Sequence, residues 1–259
     1  MTDRDLHMPA VSVMLCTNTW NTYCDRALLS IEEQSFTDFE IIIVANSVDD
    51  ETFLRLITRA SDPRVRLFRT WIAGVTFSRN LALHHCRAPL LAVMDADDIA
   101  YPERFAAQVE FLRLHPEVTV CGSSYDVIDA EDKKISTCLL PASDRDIRKL
   151  LVWRNPLCHP ATMLRTASVR ALGGYCGNSA EDYELWVRMS EDINSQFANL
   201  IQPLVGYRVP VTSVARRSRR AYVHVAGAQF RSFALTKNLL WLVASLFTLL
   251  KAWLRSNQP

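Results

Sequence analysis

The sequence predicts an α/β domain on a mostly parallel central sheet, and three observations carry that expectation. Short β-branched runs alternate with stretches of helical apolar spacing through the first hundred residues or so. No internal repeat or low-complexity linker interrupts them. The 259 residues are 49% hydrophobic and 22% charged, a globular composition long enough for one large domain with an appendage.

Taken in order, VSVMLC at 11–16 reads as a buried strand, and 22–34 follows as a helix with Ala27, Leu28 and Ile31 on one face. FEIIIV at 39–44 is too short and too β-branched for a helix and reads as a second strand. A helix beginning near Asp50 carries Phe53, Leu54 and Ile57 into strand VRLF at 65–68; helix 77–86 leads to strand LLAVM at 90–94. Such alternation implies parallel βαβ units with helices on both faces. Pro102 suits the first turn of a helix running to about His115. VTVCGSSYDVI and KISTCLL, split by DAEDK, predict a hairpin over 118–140. A short helix at 143–151, another near 181–190, and closing strands FANLI and LVGYRV complete the body.

In a sheet of this kind ligands lie beyond the carboxyl ends of the strands, which points to the residues after Cys16, Val44 and Met94. Met94 is followed by Asp95, Ala96, Asp97 and Asp98. Three carboxylates after an apolar strand form an oxygen-donor cluster suited to Mg²⁺ or Mn²⁺, which binds through one or two carboxylates plus substrate phosphates. The competing reading is a solvated turn or helix cap. Only seven glycines occur, and no GxGxxG or GxxxxGK[ST] string, which excludes the glycine-rich nucleotide loops. The seven cysteines are odd in number and form no CxxC pair, so neither a disulfide framework nor a zinc ribbon is expected. With no apolar run in MTDRDLHMPA, a reducing cytosol is the expected compartment.

Charge is unevenly placed. Of 29 basic and 28 acidic residues, nine and none fall after residue 200, leaving an acidic body and a basic tail. Such a tail asks for an anionic partner. Between Lys237 and Lys251 lie thirteen uncharged residues, short of the roughly 20 that span a bilayer. The stretch reads as a helix in the membrane interface, with Trp241, Phe247 and Trp253 as anchors. A helix packed on the body or on a second subunit is the other reading.

VSVMLCTNTW, QSFTDFEIIIV, the stretch from Gly74 through Ser78, Arg79 and Asn80, VMDADDIAYPERFAAQVEFLRLHPEV, and HPATMLRTASVRALGGY with AEDYELWVRM resemble, in order, the family 2 glycosyltransferases of the GT-A fold. The resemblance covers roughly residues 10 to 210 and implies an N-terminal tail at 1–9, a GT-A domain at 10–214 and a basic helical segment at 215–259. It places the family's DxD element on Asp95, Ala96 and Asp97, with Asp97 as direct metal ligand and Asp95 nearer the ribose and metal shell. Thr17, Asn18, Asn46 and Arg79 fall where the family contacts its nucleotide-sugar donor. For Arg79 three readings stand: a phosphate contact, a pair with an acid such as Asp97, or a structural helix N-terminal arginine.

Asp182, in the pair Glu181-Asp182, matches the family's base, which takes the proton from the acceptor hydroxyl; a single in-line displacement then inverts the anomeric configuration. The plain alternative for that pair is helix N-terminal acids favoured by the dipole. His159 reads either as near the acceptor or as a turn residue satisfied by backbone, and Trp186 reads as core. Three departures stand out. Ala45, Asn46 and Ser47 replace the family's usual acidic pair after the second strand, Thr17, Asn18 and Thr19 stand where many relatives have an aromatic in the middle position, and Pro210 replaces a frequent His. His224 is a candidate substitute ligand.

The resemblance implies a metal-dependent, inverting glycosyltransferase. It would act on a glycan or lipid-linked glycan acceptor in cell-envelope polysaccharide synthesis, peripheral on the cytoplasmic face of an anionic membrane through residues 215–255, with no nucleic-acid partner. A degenerate nucleotide-sugar-binding or assembly protein of the same fold is the alternative. A nucleotidyltransferase would ordinarily carry glycine in its first loop, and CTNTWNTYC has none.

Overall fold

The computed structural model describes residues 7–209 and 218–254. The first half is the predicted alternation: β1 (Val11–Thr17), α1 (Thr22–Glu32), β2 (Phe39–Asn46), α2 (Asp50–Arg59), β3 (Val65–Thr70), α3 (Val75–His85) and β4 (Leu90–Asp95). Side-chain caps begin the helices where the chain leaves a strand: Asn21 accepts from the amides of Tyr23 and Cys24 ahead of α1, and Asp49 accepts from Thr52 N ahead of α2. β1 pairs parallel with both β2 and β4, and β2 with β3.

β1, β2 and β4 are central and largely buried on both faces, whereas β3, at the edge of the sheet, is half-buried. Val11, Val13 and Leu15 of β1 pack with Ala27, Leu28 and Ile31 of α1 in one core. Met14 points the other way, into a second core with Ala82 and Leu83 of α3.

The second half comprises β5 (Ile99–Ala100), α4 (Arg104–Leu114), β6 (Val118–Ile128), β7 (Lys134–Cys138), α5 (Asp144–Leu151), a 3₁₀ turn (His159–Ala161), β8 (Met163–Arg165), α6 (Thr166–Ala171), α7 (Glu181–Glu191) and β9 (Gln196–Arg208). Among the described residues one sheet results, in the order β3-β2-β1-β4-β8-β6-β9-β5, with β7 paired to β6. Beyond β4 it becomes mixed: β8 is antiparallel to β4 and β6, while β6 and β9 run parallel. The two closing strands expected from the sequence are one strand. FANLI and LVGYRV both lie in β9, which stays paired to β6 through register shifts, one of them beside Pro203.

Arg104, fully buried in α4, donates to Val93 O at 2.8 Å and to Thr162 O at 3.2 Å, and so fastens the helix beneath the end of β4.

The C-terminal segment is two helices rather than one, α8 (Arg219–Thr236) and α9 (Leu239–Leu254), joined where Lys237 takes a left-handed conformation. They form a hairpin, and α8 packs on α7. Trp241, expected as an interfacial anchor, is instead buried in the core with Ala244 and Val225. Phe247 and Trp253 are exposed, as are Leu239, Val243, Leu246 and Leu250. Pro210 and the expected boundary near 214 lie outside the described residues.

Candidate active site

The chain leaves β1 toward β2 on one side and returns to β4 on the other, so the sheet has its topological switch between β1 and β4, where carboxyl-end loops part to form a crevice. Register sets Cys16 beside Asp95 and Thr17 beside Ala45, which brings the ends of β1, β2 and β4 level. A cavity of about 480 Å³ opens there, lined among others by Thr17, Asn18, Asn46, Ser78, Asp95 and Asp97. Ala96 lines it too, so the predicted donor-side residues converge, except Arg79.

Arg79 lies in a second cavity of about 400 Å³, with Asn155, His159, Glu181, Asp182 and again Asp95. Asp95 thus borders both spaces. Arg79 donates to Asp95 Oδ1 at 3.2 Å and to Glu181 Oε1, and its guanidinium lies over the Tyr175 ring. The pair with Asp97 is therefore corrected to one with Asp95. Burial opposes the charge on Arg79, but Asp95 and Glu181 outweigh it and hold the guanidinium above its ordinary value. Its neighbour Asn80 clamps the loop before α7, donating to Tyr175 O and accepting from Tyr175 N at 2.9 and 2.8 Å. Gly174, at φ +79°, leaves room for that clamp, since a Cβ there would collide with Asn80 Oδ1.

The three adjacent carboxylates separate. Asp97 stays on the cavity wall, its pKa raised by burial and by Asp95. Asp98 turns inward, almost fully buried, and accepts from Arg208 N at 2.8 Å. It is a fastening for β9 rather than a third ligand. Arg208 also donates to Asp97 O and stacks over Tyr23, so the acidic loop is held from the far edge of the sheet.

Two oxygen-donor side chains crowded on one wall suit a hard divalent cation, whose charge would relieve the burden on Asp97. Among the described residues no cluster of three or more His, Cys, Asp or Glu is placed to hold a metal, so a cation held by Asp95 and Asp97 would need its other ligands from a substrate or water. His224 sits on α8, with its Nδ1 facing Gly177.

Asp182 is the second residue of α7, which Glu181 opens directly after Ala180 in the left-handed conformation (φ 57°), a backbone state that costs a non-glycine residue about 1 kcal/mol or more. Asn155, which carried no sequence signal, donates from Nδ2 to Asp182 Oδ2 at 2.7 Å. His159 is held by side chain rather than backbone: its Nε2 meets the Tyr175 hydroxyl at 3.1 Å, and its buried Nδ1 has no hydrogen-bond partner among the described residues. Burial, then Arg79 and Arg104, push it well below the usual imidazole range. Trp186 is core, as expected. Asn46 is buried, and its Oδ1 has no partner.

A parallel sheet whose carboxyl ends frame two cavities around an acidic loop defines the GT-A class of glycosyltransferases. The chain belongs to that class through glycosyl transferase family 2, whose family model matches residues 12–173. Among curated relatives, the O-antigen biosynthesis glycosyltransferase WbnJ of Escherichia coli is 28% identical over 95% of this chain and 97% of its own length. The amylovoran biosynthesis glycosyltransferase AmsE of Erwinia amylovora is 27% identical over 89% and 87%. The solved structure of S. aureus TarS in complex with UDP-GlcNAc superposes with a TM-score of 0.64 at 16% identity, covering 85% of this chain, which spans 66% of that structure. The mannosyltransferase PcManGT from Pyrobaculum calidifontis, in complex with GDP-Man and Mn²⁺, gives 0.60 at 18% identity over 95% of this chain and 74% of its own.

Proposed function

We propose that this glycosyltransferase moves a sugar from a nucleoside-diphosphate donor to a hydroxyl of a glycan or lipid-linked glycan acceptor. The transfer inverts the anomeric configuration and requires Mg²⁺ or Mn²⁺, and its setting is cell-envelope polysaccharide synthesis on the cytoplasmic membrane face. The observation that carries this reading is the shared wall: Asp95 borders both the cavity of Thr17, Asn46 and Asp97 and the cavity of Asp182. A donor seated in the first presents its anomeric carbon to an acceptor seated in the second.

Asp95 and Asp97 would hold the cation, which when bound neutralises charge gathering on the departing diphosphate. Thr17, Asn18 and Asn46 grip the nucleoside end, and Ala96 leaves space between the two aspartates. Asp182 accepts the acceptor proton as the new glycosidic bond forms. WbnJ and AmsE, named for O-antigen and amylovoran biosynthesis, support a polysaccharide acceptor. The UDP-GlcNAc and GDP-Man complexes of the structural neighbours support a nucleotide-sugar donor.

Among the described residues no helix is long and apolar enough to cross a membrane. The acid-free basic tail and the apolar outer face of α9 support peripheral attachment.

The test is release of nucleoside diphosphate by purified protein from a panel of nucleotide sugars, with and without Mn²⁺. Metal-dependent turnover of one donor, lost in Asp182→Asn, is expected. Donor binding without turnover in any member of the panel, unaffected by that substitution, would support the degenerate binding protein instead.

A further inference from the structure

Large apolar side chains stand exposed on the connection from β3 into α3, well apart in sequence from the C-terminal helices. Trp71 and Ile72 are 68% and 55% exposed, and the guanidinium of Arg69 lies 3.9 Å over the Trp71 ring. Gly74 and Val75, two residues further on, form the rim of the donor-side cavity.

The start of α3, just after that connection, is linked to α8 through Gly177. Thr76 donates to Gly177 O, and Gly177 faces His224, whose Nδ1 would be 3.8 Å from a Cβ placed there. In the α8–α9 hairpin, Ser245 Oγ donates to Ala226 O at 2.9 Å. Seven residues on from Ser245 and seven back from Ala226, at equal rise per residue, the last turn of α9 comes level with Arg219. Lys251 and the exposed Trp253 and Leu254 therefore end level with Arg219 and Arg220, one turn or so beyond His224, the residue of α8 that faces Gly177.

Arg231, farther along α8, pairs with Glu184 and Glu191, whereas no described acid pairs with Arg219 or Arg220. Arg69, beside Trp71, pairs with Asp50, so the cations without a described acid partner are those at the start of α8; an apolar rim next to them complements an anionic lipid surface and repels a basic one.

We propose that Trp71 and Ile72 form a second membrane anchor, inserting beside Trp253 and Leu254 while Arg219, Arg220 and Lys251 hold anionic phospholipid headgroups. Attachment at two points sets the mouth of the donor cavity at headgroup level, so that a lipid-linked acceptor reaches Asp182 from the bilayer. This rests on the peripheral-membrane reading above and adds the orientation.

The experiment is co-sedimentation of the full chain with phosphatidylcholine–phosphatidylglycerol vesicles and with phosphatidylcholine vesicles alone, together with donor hydrolysis in the absence of lipid. Wild type should bind the anionic vesicles preferentially. Trp71→Ala/Ile72→Ser and Trp253→Ala/Leu254→Ser should each weaken that binding about tenfold or more while hydrolysis stays at the wild-type rate. If the loop variant binds as wild type and only the α9 variant fails, the second anchor is refuted and the peripheral reading survives. Wild type binding neither vesicle refutes both. A lipid-independent dimer that the loop variant abolishes would reassign the patch to a second copy of the chain and overturn the proposal.

Discussion

Asn155 donates to Asp182 Oδ2 at 2.7 Å while its own Oδ1 accepts from Leu157 N at 3.2 Å. The backbone amide fixes which end of the Asn155 side chain is oxygen, so the NH₂ group must face the carboxylate. One oxygen of Asp182 is thereby occupied and the other is left for an incoming hydroxyl, the arrangement in which a base is oriented by a third group. On the proposed assignment, Asp182→Asn should lower kcat by about 10² to 10⁴. Asn155→Ala should lower it by about 10- to 100-fold, the worth of a hydrogen bond to a charged group, with the donor KM unchanged. Equal losses in kcat and donor affinity would assign Asn155 to substrate binding.

Arg79 joins the two cavities through Asp95 on one side and Glu181 on the other. Removing Arg79 leaves the buried Glu181 carboxylate without its counterion, which costs about 3–5 kcal/mol. Arg79→Ala should therefore lower the thermal midpoint markedly as well as activity. Arg79→Lys should not restore activity, because a single ammonium cannot reach both carboxylates as the planar fork does. Calorimetry and turnover on the same preparations check this; full activity in the lysine variant would reduce Arg79 to a point charge.

How far the site could be read from sequence depends on the kind of signal each residue carries. Asp95, Asp97 and Asp182 sit in short motifs at strand and helix ends that spacing alone would read as a turn and a helix start, and it is the order of the family-like segments that singled them out. Asp98 looked equivalent to its neighbours, and only the return of β9, more than a hundred residues later, turned it inward onto Arg208 N. Asn155 lies in a loop with no periodicity, and its role comes from the fold bringing it to α7. Trp241 misled because an amphipathic helix has two faces, and spacing does not say which one meets protein.

Asn46 stands where the family usually carries an acid, with its Oδ1 buried and unpartnered at the donor-side cavity. A desolvated amide oxygen costs free energy until a donor group reaches it, and on the proposed assignment that donor is an N–H or O–H of the nucleoside. Asn46→Ala should raise the donor KM by about tenfold or more and leave kcat within about twofold. An unchanged KM across the nucleotide panel would place that oxygen outside donor recognition.

Trp241 and Trp253 belong to one helix but face different surroundings, the first buried in the core and the second 57% exposed. Trp241→Ala removes a large core side chain and should destabilise the fold by about 3–5 kcal/mol. Trp253→Ala, at a half-exposed position, should cost clearly less than Trp241→Ala. Similar losses in both variants would mean that α9 is held to the body along both faces.

His159 supplies a pH signature of the core itself. Burial, with Arg79 and Arg104 nearby, holds its folded-state pKa well below the ordinary 6.5. On acidification through 6.5 the unfolded chain takes up a proton that the folded protein refuses, so the unfolded state binds more protons and stability falls. The slope attributable to this residue is about 1.4 kcal/mol per pH unit until the folded-state pKa is reached. His159→Gln keeps a polar group within reach of the Tyr175 hydroxyl but does not titrate. Denaturant melts of both proteins from neutral pH down to about pH 5 should therefore converge, with wild type losing its advantage as the pH falls. Parallel stability curves would mean that the imidazole is protonated inside the fold, with its buried Nδ1 donating to a group beyond those described.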